Sequence, residues 1–152
     1  MKRRATILMA VLLVLSLGLA SAASADELDG SGTIWAKGVG QARVSGHGEI
    51  RVRCHGAGIV WVKNAEVLRA TGNGRKWQAP GGATVFWGWS GTVYASGVDI
   101  TVWMTGGLIE FTAAGTGRVY LQGRGKYRVN GVEGFWSLTG ETLSMENVEQ
   151  SQ

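Results

Sequence analysis

The stretch Val44-Ser45-Gly46-His47-Gly48-Glu49-Ile50 places one polar residue between two glycines and flanks the triplet with β-branched residues. Close variants follow at Leu121-Gln122-Gly123-Arg124-Gly125-Lys126-Tyr127 and, with an altered spacing, across Thr112 to Val119. Glycine adopts positive φ without Cβ strain, and a three-residue hairpin connection needs one such residue. The stretch therefore predicts a β-hairpin turning at Gly46-His47-Gly48. Ser45 would pair with Glu49, Val44 with Ile50, Arg43 with Arg51 and Ala42 with Val52. Apolar then meets apolar and polar meets polar, which supports the register, because a one-residue slip would turn every side chain to the wrong face.

Working outward, runs of four to six residues alternate apolar and polar between glycines, as in Thr33–Lys37, Gln41–Ser45, Arg118–Gln122 and Lys126–Asn130. With 25 glycines, seven tryptophans and a single proline, and no helical periodicity, the chain reads as short β-strands. Gly32–Val39 is echoed by Gly91–Val98, 59 positions on, so the β-region divides into two similar halves. Gly72 to Gly82 crowds turn formers around Pro80 and predicts a long loop between them. The expected fold is all-β, an antiparallel meander closed as a barrel or sandwich. The alternative is a β-solenoid with glycines at its corners.

Lys2, Arg3 and Arg4 precede an apolar run from Ile7 to Ala20, and small-x-small patterns end at Ala22 and Ala25. Residues 1–25 read as a secretory signal peptide, with an apolar run too short to span a bilayer. The expected organisation is a signal peptide at 1–25, a glycine-rich β-domain at 26–138 and a polar, acidic tail at 139–152. Cleavage removes three of the 15 basic residues and leaves 12 against 11 acids, yet residues 30–140 hold 12 basic and only five acidic side chains. Export and near-neutral net charge speak against nucleic acid. Cys54 is the only cysteine, so no internal disulfide can form; it shares the parity of Ile50 and Val52 and reads as a small core hydrophobe.

The Val44–Val52 stretch is similar in style to the repeats of secreted bacterial adhesin-head domains, which are β-helices. Gly115–Gly131 together with Gly88–Val102 resembles a class of exported bacterial Gly-x-Gly β-repeat proteins without assigned function. The resemblance implies an exported β-fold and carries no catalytic residue.

No nucleophile elbow or P-loop is present. His47 and His55 fall at opposite ends of a strand, roughly 25 Å apart at the usual rise, so no metal or cofactor site is expected. Glu49, Glu66, Asp99, Glu110 and Glu133 lie in no catalytic motif and read as solvated charges on strand faces. The polar parity of the strands is more informative. It interleaves aromatic rings, able to stack on planar or sugar faces, with cations able to meet anionic groups. Trp35, Arg43, Arg51, Arg53, Trp61, Trp103 and Tyr120 are the candidate ligand-binding residues. Trp87 and Trp89 form a second aromatic cluster expected to pack at the core or its rim. The function this implies is a non-enzymatic, secreted, periplasmic or extracellular β-domain with a structural or adhesive role or one in binding a glycan or anionic polymer. It would have no transmembrane segment after signal cleavage, and self-association is open to it. The alternative is a carbohydrate-active or other hydrolytic enzyme. Intact mass of the exported protein is expected to show loss of residues 1–22 or 1–25; a full-length species in the membrane would contradict this.

Overall fold

The computed structural model describes residues 31–146, and the expected signal peptide lies outside them. The described chain is all β, with six strands: β1 Gly32–His55, β2 Ile59–Lys63, β3 Val67–Gln78, β4 Thr84–Val129, β5 Val132–Phe135 and β6 Glu141–Ser144. No helix among the described residues is long and apolar enough to cross a membrane.

The expected hairpin at Gly46-His47-Gly48 does not form. β1 runs straight through the triplet, and Val44 lies beside Val102 and Val119 while Ile50 lies beside Ala95 and Ala113. Arg43 faces Trp103 and Tyr120, and Ala42 faces Met104 and Leu121. The real hairpin is far longer. Ile34 faces Val129, Arg53 faces Glu110, Val67 faces Ser96 and Gln78 faces Thr84, so β1 to β3 form one arm and β4 the other. β2 continues the same pattern, with Val60 between Phe86 and Met104. The arms join at Ala79–Ala83, where Gly82 N donates to Ala79 O at 3.1 Å and Ala79 N to Ala83 O at 2.7 Å. Pro80 followed by Gly81 at φ 89° suits a type II turn, which needs positive φ at its third residue. Most of the long loop expected over Gly72–Gly82 is therefore strand, since β3 extends to Gln78.

This two-stranded ribbon is coiled on itself. A strand has only two edges, and β4 occupies both edges of β1: Ile34 lies between Ala113 and Val129. Ala113 in turn lies between Ile34 and Ile50, sixteen positions apart on β1. β1 thus leaves a layer and returns to it two strand positions away after about 53 Å of chain, at about 3.3 Å per residue. Such a circuit needs two reversals, and Gly38-Val39-Gly40 and Gly46-His47-Gly48 divide it into two walls. The first wall holds Gln41–His47, flanked by Ile100–Thr105 and Thr116–Gln122. The second holds Gly32–Val39 and Gly48–His55, with Leu108–Gly115 between them. Inward residues of both walls, among them Ile34, Val44, Ile50, Val102, Phe111 and Val119, form one core. β3 at one end of the coil and β5 and β6 at the other each pair with β4 alone. The antiparallel sheet consequently stays open, so that of the barrel or sandwich expected from the sequence the closed barrel is not formed.

At the corners glycine faces glycine. Gly46 lies opposite Gly117, and a Cβ built on it would stand 2.2 Å from Thr116 O and 2.7 Å from Gly117 Cα. Its φ of 146° is also one that residues with side chains rarely adopt. Close approach and backbone conformation both exclude any other residue.

The segment expected to begin a polar tail at Thr139 instead supplies β6, with Arg118 facing Ser144 and Leu121 facing Glu141. Met145 is buried, and its N–H donates to Gly117 O at 2.9 Å. Trp136 closes the same end of the coil over the Gly38–Gly125 pair, its Nε1–H donating to Lys126 O at 3.1 Å. Residues 147–152 lie outside the described part of the chain.

Gly46→Ala is expected to cost about 3 kcal/mol or more, from backbone overlap added to positive-φ strain. Gly81→Ala at the ribbon tip, where a Cβ would meet nothing within 4 Å, should cost only the ~1–2 kcal/mol of the φ penalty. Urea midpoints of the two variants check the difference; equal shifts would show that the close approach carries no energy.

Candidate functional site

The coil sorts the candidate residues by wall. On the first wall the ladder sets Trp61 beside Trp103, Trp103 beside Arg43, Arg43 beside Tyr120 and Tyr120 beside Thr142. These five residues come from five different passes of the chain and form a strip about 19 Å long, at about 4.8 Å per strand. Trp61 and Trp103 meet edge to face, with ring centroids 5.8 Å apart and planes at 76°. In that geometry one indole buttresses the other. Both stay more than one-third exposed, at 39% and 36%, so their outer surfaces remain open to a ligand.

The next row sets Lys63 beside Thr101, Thr101 beside Ser45, and Ser45 beside Arg118. Between the rows lies a groove of about 540 Å³ lined by Arg43, Ser45, Trp103, Arg118, Tyr120 and Thr142. It contains two guanidinium groups, three hydroxyls and an indole, and no carboxylate. Among the described residues neither Arg43 nor Arg118 forms an ion pair. Tyr120 is held in place by its hydroxyl, which donates to Gln122 Oε1 at 2.9 Å, while Gln41 Nε2 donates to the same oxygen.

Trp35, Arg51 and Arg53 fall on the second wall, and the ladder never brings them beside the first group. Trp35 lies between Thr112 and Arg128, Arg51 between Tyr94 and Thr112, and Arg53 between Thr92 and Glu110. A second groove, of about 360 Å³, includes Trp35, Glu49, Arg51, Tyr94 and Arg128. The cations here have acidic company. Glu110 meets Lys37 Nζ at 3.7 Å and His55 Nε2 at 3.3 Å, and Arg128 pairs with Glu133, which holds the Glu133 carboxyl below its ordinary range. Tyr94 Oη donates to Glu49 Oε2 at 2.8 Å. The seven candidate residues therefore make two sites of different character, one purely cationic and one mixed.

Other side chains from the sequence reading also find places. His47 sits exposed at a corner opposite Thr116, and His55 is engaged with Glu110. No group of three His, Cys, Asp or Glu side chains among the described residues is placed to hold a metal. Trp89 packs edge to face on Phe86 at 5.1 Å and donates to Thr71 O at 3.2 Å, whereas Trp87 stands out at the rim against Trp77. Cys54 packs against the core, where burial pushes its thiol up to about 11, so it is protonated and unreactive at neutral pH.

Arg118 shares strand parity with Tyr120, and alternation alone places it on the same outward aromatic and basic face. Thr142 was missed, because its stretch carries no strand signal of its own and becomes β6 only by pairing with β4.

No family model, curated protein or solved structure matches the chain.

Removing an outward indole leaves no internal cavity, so Trp103→Ala is expected to cost about 1–2 kcal/mol. Phe111→Ala, at a site only 1% exposed, should cost the ~3–5 kcal/mol of a buried aromatic. Thermal or denaturant midpoints compare them directly, and a Trp103 variant as damaged as the Phe111 variant would mean that the strip is structural.

Proposed function

We propose that this protein is a secreted, non-catalytic binding domain whose first wall holds an anionic glycan or similar polyanion at the cell envelope or outside the cell. One observation carries the reading. Arg43 is flanked in the ladder by Trp103 and Tyr120, opens with Arg118 onto a groove free of carboxylates, and has no ion-pair partner among the described residues.

Sugar rings offer an apolar face suited to the exposed indoles of Trp61 and Trp103. Carboxylate or sulfate groups suit the planar, multi-donor guanidinium groups of Arg43 and Arg118. Ser45 and Thr142 add hydroxyls for neutral sugar oxygens. A strip on well-paired strands pays little ordering entropy on binding, which favours affinity. The groove is open along the wall, as a site for an extended polymer needs to be. Of the five carboxylates weighed for hydrolysis, Glu49 engages Tyr94, Glu110 engages Lys37 and His55, and Glu133 engages Arg128, while Glu66 accepts from Val98 N and Asp99 stands exposed.

The purified protein is expected to be retained by immobilised acidic polysaccharides and not by neutral ones. Trp103→Ala should weaken binding by about tenfold or more, matching the ~1–3 kcal/mol of an aromatic stacking platform. Arg43→Ala should weaken it mainly at low salt. Trp35→Ala on the second wall should leave it unchanged. No retention by any acidic polymer, or equal damage from Trp35→Ala, would refute the assignment.

A further inference from the structure

The two ends of the coil are unlike each other and complementary. At one end β3 is bonded to β4 along one edge only. Val67–Gln78 includes Arg69, Arg75 and Lys76, and the one acid beside it is Glu66, whose N–H donates to Ser96 O and whose carboxylate accepts from Val98 N. At the other end β5 and β6 are likewise bonded only to β4, and residues 130–146 include Glu141, Glu146 and Glu133, the last already paired with Arg128 of β4, and no Lys or Arg. This acidic end also holds the three most exposed large apolar side chains among the described residues, Phe135 at 73%, Val132 at 67% and Leu138 at 64%. Trp77 and Val67 are exposed on β3.

The layouts match as well. β3 crosses from the second wall, where Val67–Gly72 face Gly91–Ser96, to the first, where Arg75–Gln78 face Thr84–Trp87. β5 lies on the second wall beside Lys126–Val129, and β6 on the first beside Arg118–Leu121. Each end thus offers one free edge per wall. Both edges run from the second wall to the first, β3 over 12 continuous residues and the other as two strands of four, β5 and β6, joined by the turn at Ser137–Gly140.

From this we infer that the protein assembles head to tail, the β3 edge of one copy adding to the β5–β6 edge of the next. The joint extends both walls as a parallel ladder and covers Val132 and Phe135. Charge on an edge strand ordinarily guards against edge pairing. Here the sign differs between the ends, so the same charges discourage β3 from meeting β3 and favour β3 meeting β5–β6. Because the two surfaces of the joint are different and stack along the coil axis, the contact does not close, and copies add into an open chain. Nothing in this depends on the first-wall groove, which stays exposed along the side of such a chain.

Sedimentation velocity over a concentration series tests the inference with the whole exported protein. The wild type is expected to give a ladder of dimer, trimer and longer species that lengthens with concentration and shortens at high salt. Two variants each block one end: R69E/R75E/K76E on β3 and V132N/F135N on β5. All five positions are exposed, so circular dichroism and thermal midpoints should remain close to wild type. Each variant alone should be monomeric. An equimolar mixture should give dimers and nothing larger, since it contains one intact surface of each kind per pair. A wild type that stays monomeric, a closed dimer at every concentration, variants that still assemble, or a mixture that fails to form dimers would each overturn the inference.

Discussion

Backbone held against backbone at the corners is the constraint on which the rest of the fold depends. Where the ribbon turns from one wall to the other, Gly46 faces Gly117 and Gly48 faces Gly115, and any Cβ there would sit about 2 Å from a carbonyl oxygen of the partner strand. Both strands of the ribbon have to turn together without breaking their ladder. A paired corner therefore needs small residues on both sides, and the spacing of the glycines on one arm has to mirror that on the other. Gly38-Val39-Gly40 faces Gly123-Arg124-Gly125 in the same way. Corners placed in this manner bring each strand back beside its own earlier circuit, and the sheet gains its second set of neighbours.

The core and the surface follow from that coiling. Alternation along β1, buried and exposed by turns, puts Ile34, Ala36, Ala42 and Val44 inside and Trp35, Lys37 and Arg43 outside. Small side chains such as Ala36, Ala42, Ala95 and Ala113 sit inward among larger ones, including Phe86, Phe111 and Met104. Interdigitation of that kind fills the space between two walls at interior density. With a single, half-buried cysteine and no disulfide, the fold rests on this packing and on backbone pairing.

The same geometry builds the candidate binding strip. Trp61, Trp103, Arg43 and Tyr120 are up to 77 positions apart in the chain, yet occupy consecutive rungs of one row. Rigid strands hold them and leave little to be ordered when a ligand binds. The acids gather instead on the second wall and in the last circuit, which leaves the first-wall groove cationic and the two coil ends of opposite character. Charge segregation of this kind would steer the anionic polymer proposed above toward one wall.

Much of this was legible in the residues. Period-two alternation between glycines required β-structure, and strand parity separated the core from the outward Trp and Arg residues. Those signals are local, because each strand's inside and outside depend only on its own alternation. What Gly46-His47-Gly48 does was not legible, since a hairpin turn and a ribbon corner both use glycine at positive φ and both preserve the apolar register. Only the partner strand decides between them, and that partner lies about 70 residues away. Long-range pairing likewise made β6 from a polar segment and confined the expected mid-chain loop to the short turn at Pro80-Gly81. It also divided seven candidate residues between two walls. The sequence by itself thus determined the strands and their faces, while the tertiary structure alone decided which faces became neighbours, because a β-ladder takes its partners from wherever the coiled chain returns.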